Sequence, residues 1–466
     1  MRVAPPEGGA GDSAASPDPA GLSQLAGRIA GRAGPGEEVE AYLARSRETE
    51  VRVYDGEVES VSSAESAGVG IRVVIGGRQG FAYAGSLDEE VVAETLAEAR
   101  DNAGFATPDE WVGLARPDGV PGARMDLWRD ELAEFPAGDK VSMAMELEKA
   151  VRGGDRRIRQ VESSEWGDAA IESAVATSTG ISASSRRTVC YLSVSAVAGE
   201  ASDTQTAYGF SVGRAPSELD MEKAAGDAVE RATRLLGATK PRSARLTVVL
   251  EPRITATLLS LLGGTLDGES VLKGRSLFAD RLGEAVSVPF LTLVDDPTDP
   301  DAYGATPYDA EGLACRRNVL IKDGDLQMYL YNTYAGRRAR TASTASAVRA
   351  GYKSAPGIGA RALRLLPGGS SPEQILGQVG NGVLVQSVSG IHSGVNPVSG
   401  DFSVGAEGVM VRAGALAEPV REFTIASTIQ RMLQSVVAIG NDQEWLPASA
   451  AGVTLAIADV SVSGAS

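Results

Sequence analysis

The stretch that decides the fold is residues 50–84, EVRVYDGEVESVSSAESAGVGIRVVIGGRQGFAYA. Short runs with the alternating apolar and polar pattern of strands lie at residues 50–54, 57–63, 68–75 and 80–84. Asp55-Gly56 and Gly76-Gly77 separate neighbouring runs and tolerate the positive φ angles of tight hairpin turns. The stretch therefore predicts an antiparallel meander.

Helical patterns around the meander indicate what covers it. Leu22, Leu25 and Ile29 recur at helical spacing, and residues 87–102 place their apolar side chains on one helical face. Further helices are predicted at residues 140–152 and 219–236, and further strands at residues 158–165, 170–177 and 181–198. Strands followed by helices in this way favour an α+β N-terminal half.

The second half of the chain is rich in strand patterns and in glycine. Strands are predicted at residues 246–250, 288–294, 317–322, 383–387, 408–412 and 453–458, and helices at residues 254–262 and 423–434. The fold class is thus α+β, with N-terminal antiparallel sheets covered by helices and a strand-rich C-terminal domain. The predicted segments are a disordered tail at 1–19, an N-terminal α+β domain at 20–115, a middle α+β segment at 116–240 and a β-rich C-terminal domain at 241–466.

Composition limits the classes of function. The 466 residues, of which 43% are hydrophobic, are enough for at least two cores. A net charge of −17 disfavours nucleic acid as a direct ligand. No run approaches the roughly 20 apolar residues that span a bilayer, and Cys190 and Cys315 fit no disulfide framework. We therefore expect a soluble, cytoplasmic protein in which each cysteine is a small buried residue.

His392 is the one histidine of the chain, and it lies in a glycine-rich segment. Zinc usually takes three or four nitrogen, sulfur or carboxylate ligands, so one imidazole cannot build a histidine-rich metal site. The run from Asp295 to Asp301 contains four aspartates, which we interpret as a solvated acidic loop in preference to a site for a hard cation.

Ser393, Ser399 and Asp401 lie near His392 in sequence, which leaves a serine hydrolase formally open. The chain has no GxSxG elbow, and a structural, hydrogen-bonded histidine is the simpler interpretation. Asp401 and the Gly440-Asn441-Asp442 turn have side chains that can orient their own loops. The candidate residues for lining a substrate channel or orienting loops are His392, Asn396, Asp401, Asn441 and Asp442.

Several separated motifs resemble the PmbA/TldD metallopeptidase family. They are residues 392–408 (HSGVNPVSGDFSVGAEG), 418–420 (EPV), 423–426 (FTIA), 439–442 (IGND), 53–59 (VYDGEVE) and 68–73 (GVGIRV). They occur in the family's order, and the resemblance extends from about residue 37 to the end of the chain.

The resemblance also implies a subunit type. The family's catalytic TldD type carries an HExxxH zinc motif on the helix after a strand that resembles residues 246–250, and a cysteine near its C-terminus. Here that helix reads LLSLLGG at residues 258–264, with Ser260 and Leu261 near the positions of the first histidine and glutamate, and no cysteine follows Trp445. The chain thus resembles the PmbA type, also called TldE.

The family's PmbA type pairs with a TldD subunit, so the resemblance implies a heterodimeric zinc peptidase. In it, zinc would belong to the partner, and this chain would help shape the channel that peptides or unfolded chains enter. The family's roles include the maturation of peptide natural products. The alternatives are a stand-alone hydrolase that depends on His392 and a peptide-binding modulator without catalytic activity.

Overall fold

The computed structural model describes residues 19–465. The predicted disordered tail at residues 1–19 lies outside this range, except for Pro19, at which the first helix begins. Helices and strands alternate along the described chain, with long antiparallel strands in its first half and many strands in its second. The predicted α+β class is therefore confirmed.

The first half of the chain forms one six-stranded antiparallel sheet in the order β3-β2-β1-β4-β5-β6. Its strands are β1 (Glu37–Tyr54), β2 (Glu57–Ile75), β3 (Arg78–Ala84), β4 (Ile158–Thr177), β5 (Ser182–Ala198) and β6 (Gln205–Gly213). The same sheet contains strands from both sides of the predicted division at residues 115 and 116.

Two pairs of predicted strands are in fact single long strands. Residues 57–63 and 68–75 belong to β2, and residues 158–165 and 170–177 belong to β4. Both strands pair with β1 through the intervening residues. The gap in β2 lies at residues 64–67, of which 64–66 are exposed on both faces of the sheet, so no buried side chain marks the strand there.

Helices cover one face of this sheet, as predicted. They are α1 (Pro19–Ala30), α2 (Glu89–Phe105), α3 (Asp130–Ala133), α4 (Ala137–Gly154) and α5 (Met221–Arg234). Buried side chains of α1 and α2 pack on one half of the sheet, and those of α4 and α5 pack on the other half around Trp166. Cys190 is buried in the second of these cores, as expected.

The second half of the chain contains a sheet that closes on itself. The helices and strands of this half of the chain are, in order, β7 (Ala244–Leu250), α6 (Pro252–Thr265), α7 (Gly268–Leu272), β8 (Leu293–Asp295), β9 (Asn318–Lys322), β10 (Asp325–Leu326), α8 (Thr333–Arg338), β11 (Ala347–Val348), β12 (Gly357–Ile358), β13 (Leu363–Leu365), α9 (Pro372–Val379), β14 (Gly382–Ser389), α10 (Ile391–Gly394), β15 (Asp401–Arg412), β16 (Ala415–Thr428), α11 (Ile429–Gln434), β17 (Val436–Ile439), β18 (Glu444–Trp445), β19 (Ala451–Gly452) and β20 (Leu455–Ser463). The large sheet runs β16-β15-β14-β7-β20-β17, and β16 also pairs with β20. This second pairing closes a barrel, and α6 packs against its core through Leu258, Leu259 and Leu262.

Two sequence predictions in this half are wrong in part. The helix predicted at residues 423–434 begins only at Ile429, because Phe423 and Ile425 belong to β16 and point into the barrel core. The strand predicted at residues 288–294 is reduced to β8, since Pro289 has no N–H for a ladder. By contrast, the sequences KDGD at residues 322–325 and RAGA at residues 412–415 are typical of hairpin loops, and both turns do join paired strands.

The face of the N-terminal sheet opposite its helices packs against the C-terminal domain. Val175 and Ala183 contact Leu313 and Ala345 in a shared buried cluster. Nearby, four buried charges from the two domains alternate in sign, namely Arg349, Glu40, Arg72 and Glu311. The domains are therefore joined by apolar contacts and by a buried ion network.

Candidate functional site

The segment around His392 connects β14 to β15 through one short helix and one tight turn. Gly390 has a φ of 76°, which lets the chain leave β14 and enter α10. The Oδ1 atom of Asn396 accepts hydrogen bonds from the backbone N–H groups of Val398 (2.9 Å) and Ser399 (3.1 Å). Asn396 thus holds the turn together as an Asx-type residue.

His392 is exposed on α10 and lines a pocket of about 270 Å³. The pocket lies between α10, the following turn, α6 and α11, and its other lining residues are Leu261, Thr265, Ile391, Val395, Pro397 and Ile429. The structure therefore brings the glycine-rich segment next to the helix on which the resemblance places the zinc motif.

This pocket does not fit a zinc ion. Leu261 lines it with an apolar side chain, Ser260 is exposed, and His392 contributes the one imidazole. Zinc is held by nitrogen, sulfur or carboxylate oxygen ligands, and the remaining lining residues are mostly apolar. Within residues 19–465, no group of three or more His, Cys, Asp or Glu side chains is placed to hold a metal ion.

The residues of the possible serine hydrolase are not assembled into a triad. The Ser399 hydroxyl donates to Asp401 Oδ2 at 2.7 Å. In the described chain, no hydrogen bond joins His392 to Asp401, Ser393 or Ser399. Asp401 instead begins β15, and its backbone C=O accepts from the N–H of Asn396 at 2.9 Å. The arrangement organises the turn and does not activate a nucleophile.

Asn441 and Asp442 lie elsewhere and do not line the His392 pocket. Asp442 binds Thr454 through both carboxylate oxygens, which accept from its backbone N–H (3.0 Å) and its hydroxyl (2.6 Å). Asn441 is exposed, and its N–H donates to the Ser370 carbonyl at 3.0 Å. Asp442 therefore ties the turn after β17 to the start of β20.

The acidic run is only in part the solvated loop that the sequence predicts, since Asp301 is exposed and Asp299 half-buried. Asp295 and Asp296 are buried. Asp295 Oδ1 accepts from the backbone N–H groups of Arg361 (2.9 Å) and Ala362 (2.8 Å), and burial raises the pKa of this carboxyl group to about 6. Further along, burial raises the pKa of Asp309 to about 7. Asp309 lies where the two domains meet, whereas Asp295 binds backbone groups within the C-terminal domain.

Sequence reasoning missed a cavity at that domain contact. It is lined by Arg187 from β5 and by Arg349 and Arg361 from the C-terminal domain. Arginines that are 162 and 174 positions away from Arg187 in sequence give no local signal of their proximity. The sequence of β5 offered one sign of this cavity, because the charged residue Arg187 interrupts the alternation of its apolar residues.

Among the described residues, no helix is both long enough and apolar enough to cross a membrane.

Cys315 is buried and free, as expected, and burial raises the pKa of its thiol.

Three family models cover most of the chain. The model of the PmbA/TldA metallopeptidase domain 1 matches residues 39–103, that of the central domain matches residues 130–236, and that of the C-terminal domain matches residues 243–464. The first two models fall in the half of the chain that forms the six-stranded N-terminal sheet, and the third covers the half that contains the barrel.

Relatives named PmbA, TldD and TldE are similar to the chain. The Metalloprotease PmbA of Escherichia coli O157:H7 is 28% identical, over 88% of this chain and 89% of that protein. A Metalloprotease TldD homologue of Haemophilus influenzae is 25% identical, over 86% and 85%. The crystal structure of TldE from Thermococcus kodakarensis has a TM-score of 0.85 and 25% identity, over 92% of this chain and 97% of that one.

Proposed function

Because the chain belongs to the PmbA/TldD metallopeptidase family, we propose that it is a non-catalytic subunit of the PmbA (TldE) type. It pairs with a TldD-type subunit that carries the zinc ion and activates the attacking water. This chain contributes an interface and a wall of the channel through which peptides reach that zinc. The assembly acts in the cytoplasm on peptides or unfolded chains, including precursors of peptide natural products.

The observation that carries this proposal is the composition of the His392 pocket. Helix α6 carries Ser260 and Leu261 near the positions of the family's metal ligand and general base. Leu261 lines the pocket, and its other lining residues are mainly apolar. A single exposed imidazole cannot replace a set of three or four ligands. The family's fold is thus combined with a pocket that lacks the means to bind zinc and activate water.

The experiment measures bound zinc and peptidase activity for the purified chain, for a TldD-type protein from the same genome, and for the two after co-expression. We expect peptidase activity only in the co-purified complex, with about one zinc per pair of chains. An alanine at the first histidine of the partner's HExxxH motif should remove the activity while leaving the complex intact.

The His392→Ala variant separates the proposal from the hydrolase alternative. If this chain is a non-catalytic subunit, His392→Ala should lower the peptidase activity of the complex by less than about tenfold. If His392 were a general base, its loss would lower the activity roughly a hundredfold or more. Metal-independent activity of the chain alone that disappears in His392→Ala would refute the subunit proposal. Peptide binding without any complex formation would instead favour the modulator.

A further inference from the structure

The N-terminal sheet and the C-terminal domain enclose a cavity of about 90 Å³. Three guanidinium groups line it, those of Arg187, Arg349 and Arg361. Arg349 is neutralised, because it forms an ion pair with buried Glu40. Within residues 19–465, Arg187 and Arg361 form no ion pair, and the Nε atom of each is buried without a hydrogen-bond partner.

The immediate surroundings of Arg187 do not offset its charge. Burial lowers the pKa of Arg187, and so does the positive charge of Arg361. Asp309 is the one carboxylate among the described lining residues, and its oxygens are occupied. Oδ1 accepts from the N–H groups of Glu311 (2.9 Å) and Leu313 (3.0 Å), and Oδ2 accepts from that of Ala347 (3.1 Å).

Arg187 and Arg361 are half-buried, and Arg361 Nη2 donates to the Ala347 carbonyl at 3.5 Å. Within the described chain neither guanidinium has a carboxylate partner, and such a cation is costly unless an anion completes the site. We propose that this cavity binds a carboxylate group between Arg187 and Arg361. Each guanidinium presents a planar fork of N–H donors that matches the two oxygens of a carboxylate. The hydroxyl groups of Ser173 and Ser185, which lie 3.2 Å apart, line the same cavity and add polar groups to it.

The space next to the cavity indicates what carries the carboxylate. A larger cavity of about 640 Å³ shares Ser184, Ser185 and Tyr308 with the first. It is also lined by Met125 and Trp128, whose apolar surfaces can contact side chains. A peptide whose C-terminal carboxylate lies between the arginines has room there for its preceding residues. That the ligand is a peptide rests on the proposed function, whereas the carboxylate site rests on the arginines alone.

The test compares two forms of one peptide on the isolated full-length chain. A fluorescently labelled tetraalanine is titrated with a free C-terminus and again as its C-terminal amide. Because hydrogen bonds to a charged group contribute more than neutral ones, we expect the free acid to bind about tenfold more tightly or better. Equal binding of the two forms overturns the proposal, as does displacement of both by inorganic phosphate with equal effect.

Variants assign the preference to the two arginines. Arg187→Gln and Arg361→Gln should each abolish the difference between acid and amide, and Arg187→Lys should retain part of it. Arg412→Gln is the matched control, because Arg412 is exposed and pairs with Glu418 away from the cavity. Loss of the acid preference in this control as well would refute the assignment.

Thermal unfolding distinguishes a binding site from structural support. Because Arg187 is a half-buried cation without an ion pair in the described chain, the unfolding midpoint of ligand-free Arg187→Gln should be unchanged or higher by about 2 °C. A fall of several degrees in both glutamine variants would make the arginines structural and overturn the proposal. The assay contains no partner subunit, so its failure leaves the proposed heterodimer untouched, and failure of the heterodimer leaves this result standing.

Discussion

Individual polar side chains of this protein organise turns by binding backbone groups. Asn396 accepts from two N–H groups of its own turn, and Asp442 accepts from Thr454. Asp295 does the same between strands, but in a buried position. Its Oδ2 atom is buried without a hydrogen-bond partner, so burial is not fully compensated there. Such a group should make stability depend on pH.

The Asp295→Asn variant tests this dependence. The pKa of Asp295 is raised from 3.8 to about 6, so the folded state binds its proton more tightly than the unfolded state does. The stability that this proton contributes is fully present below about pH 4 and is lost as pH rises through 6. As the pH rises from about 4 to above 6, the free energy of unfolding of the wild type should fall by about 3 kcal/mol because of Asp295. Asp295→Asn should not show this fall.

The measurement is the free energy of unfolding in denaturant between pH 4 and 7.5 for both proteins. Asp301→Asn, on an exposed position of the same segment, tests whether loss of any carboxylate there has the same effect. Parallel pH profiles for wild type and Asp295→Asn would contradict the assigned pKa.

At the scale of elements, the packing of α2 on β3 depends on a residue without a side chain. A Cβ atom at Gly80 would lie 2.0 Å from the carbonyl oxygen of Ala99 and 2.3 Å from the N of Ala103. Both atoms belong to the backbone of α2, which cannot give way as a flexible side chain does. The close approach of α2 to the sheet therefore requires glycine at position 80.

We expect Gly80→Ala to destabilise the protein by about 2–3 kcal/mol, because α2 must move away from the sheet. Gly104→Ala is the matched control in the same helix, where a Cβ atom meets nothing within 4 Å. Alanine should be neutral there or stabilise the helix by about 0.5 kcal/mol. Equal free energies of unfolding for the two variants would show that the close approach is not rigid.

At the scale of the whole molecule, a buried ion network joins the two halves of the chain. Arg72 Nη2 lies 2.5 Å from Glu40 Oε2 and 3.3 Å from Glu311 Oε1. Glu40 also pairs with Arg349, and none of the four side chains is more than 5% exposed. Burial would raise the pKa of Glu40, but the two arginines outweigh it and lower that pKa. The network therefore joins the two domains through an ionised Glu40.

We expect Glu40→Gln to cost about 3–5 kcal/mol at pH 7, since two buried guanidinium groups lose a shared partner. Because the folded pKa of Glu40 is lowered, its contribution is present above the usual pKa near 4.5 and is lost as pH falls below it. The difference in the free energy of unfolding between Glu40→Gln and the wild type should thus be smaller in acid. Denaturant unfolding at pH 7 and pH 4 measures it.

Glu48→Gln, on an exposed position of the same strand, is the control for Glu40→Gln. It should change the free energy of unfolding by less than about 0.5 kcal/mol. A similar small effect of Glu40→Gln would mean that the network positions the domains without stabilising them.

The sequence by itself determined the features that neighbouring residues encode. Asp55-Gly56 and Ala413-Gly414 make turns because their own φ angles are positive, and the helices follow from apolar residues three and four positions apart. The family was also recognisable from motifs that are each contiguous in the chain. The sequence alone also shows that residues 260 and 261, near the positions where the resemblance places the family's first histidine and glutamate, are serine and leucine.

Tertiary structure alone decided what depends on residues far apart in the chain. The pairing of Ile425 with Val462 closes the barrel, and it made a strand of residues whose local pattern predicted a helix. Asp295 binds residues 361 and 362 only after the C-terminal domain folds, and Arg187 meets Arg361 only when the two halves pack together. Local periodicity reports which side of an element is apolar, whereas burial and charge compensation are set by the surface that is packed against it.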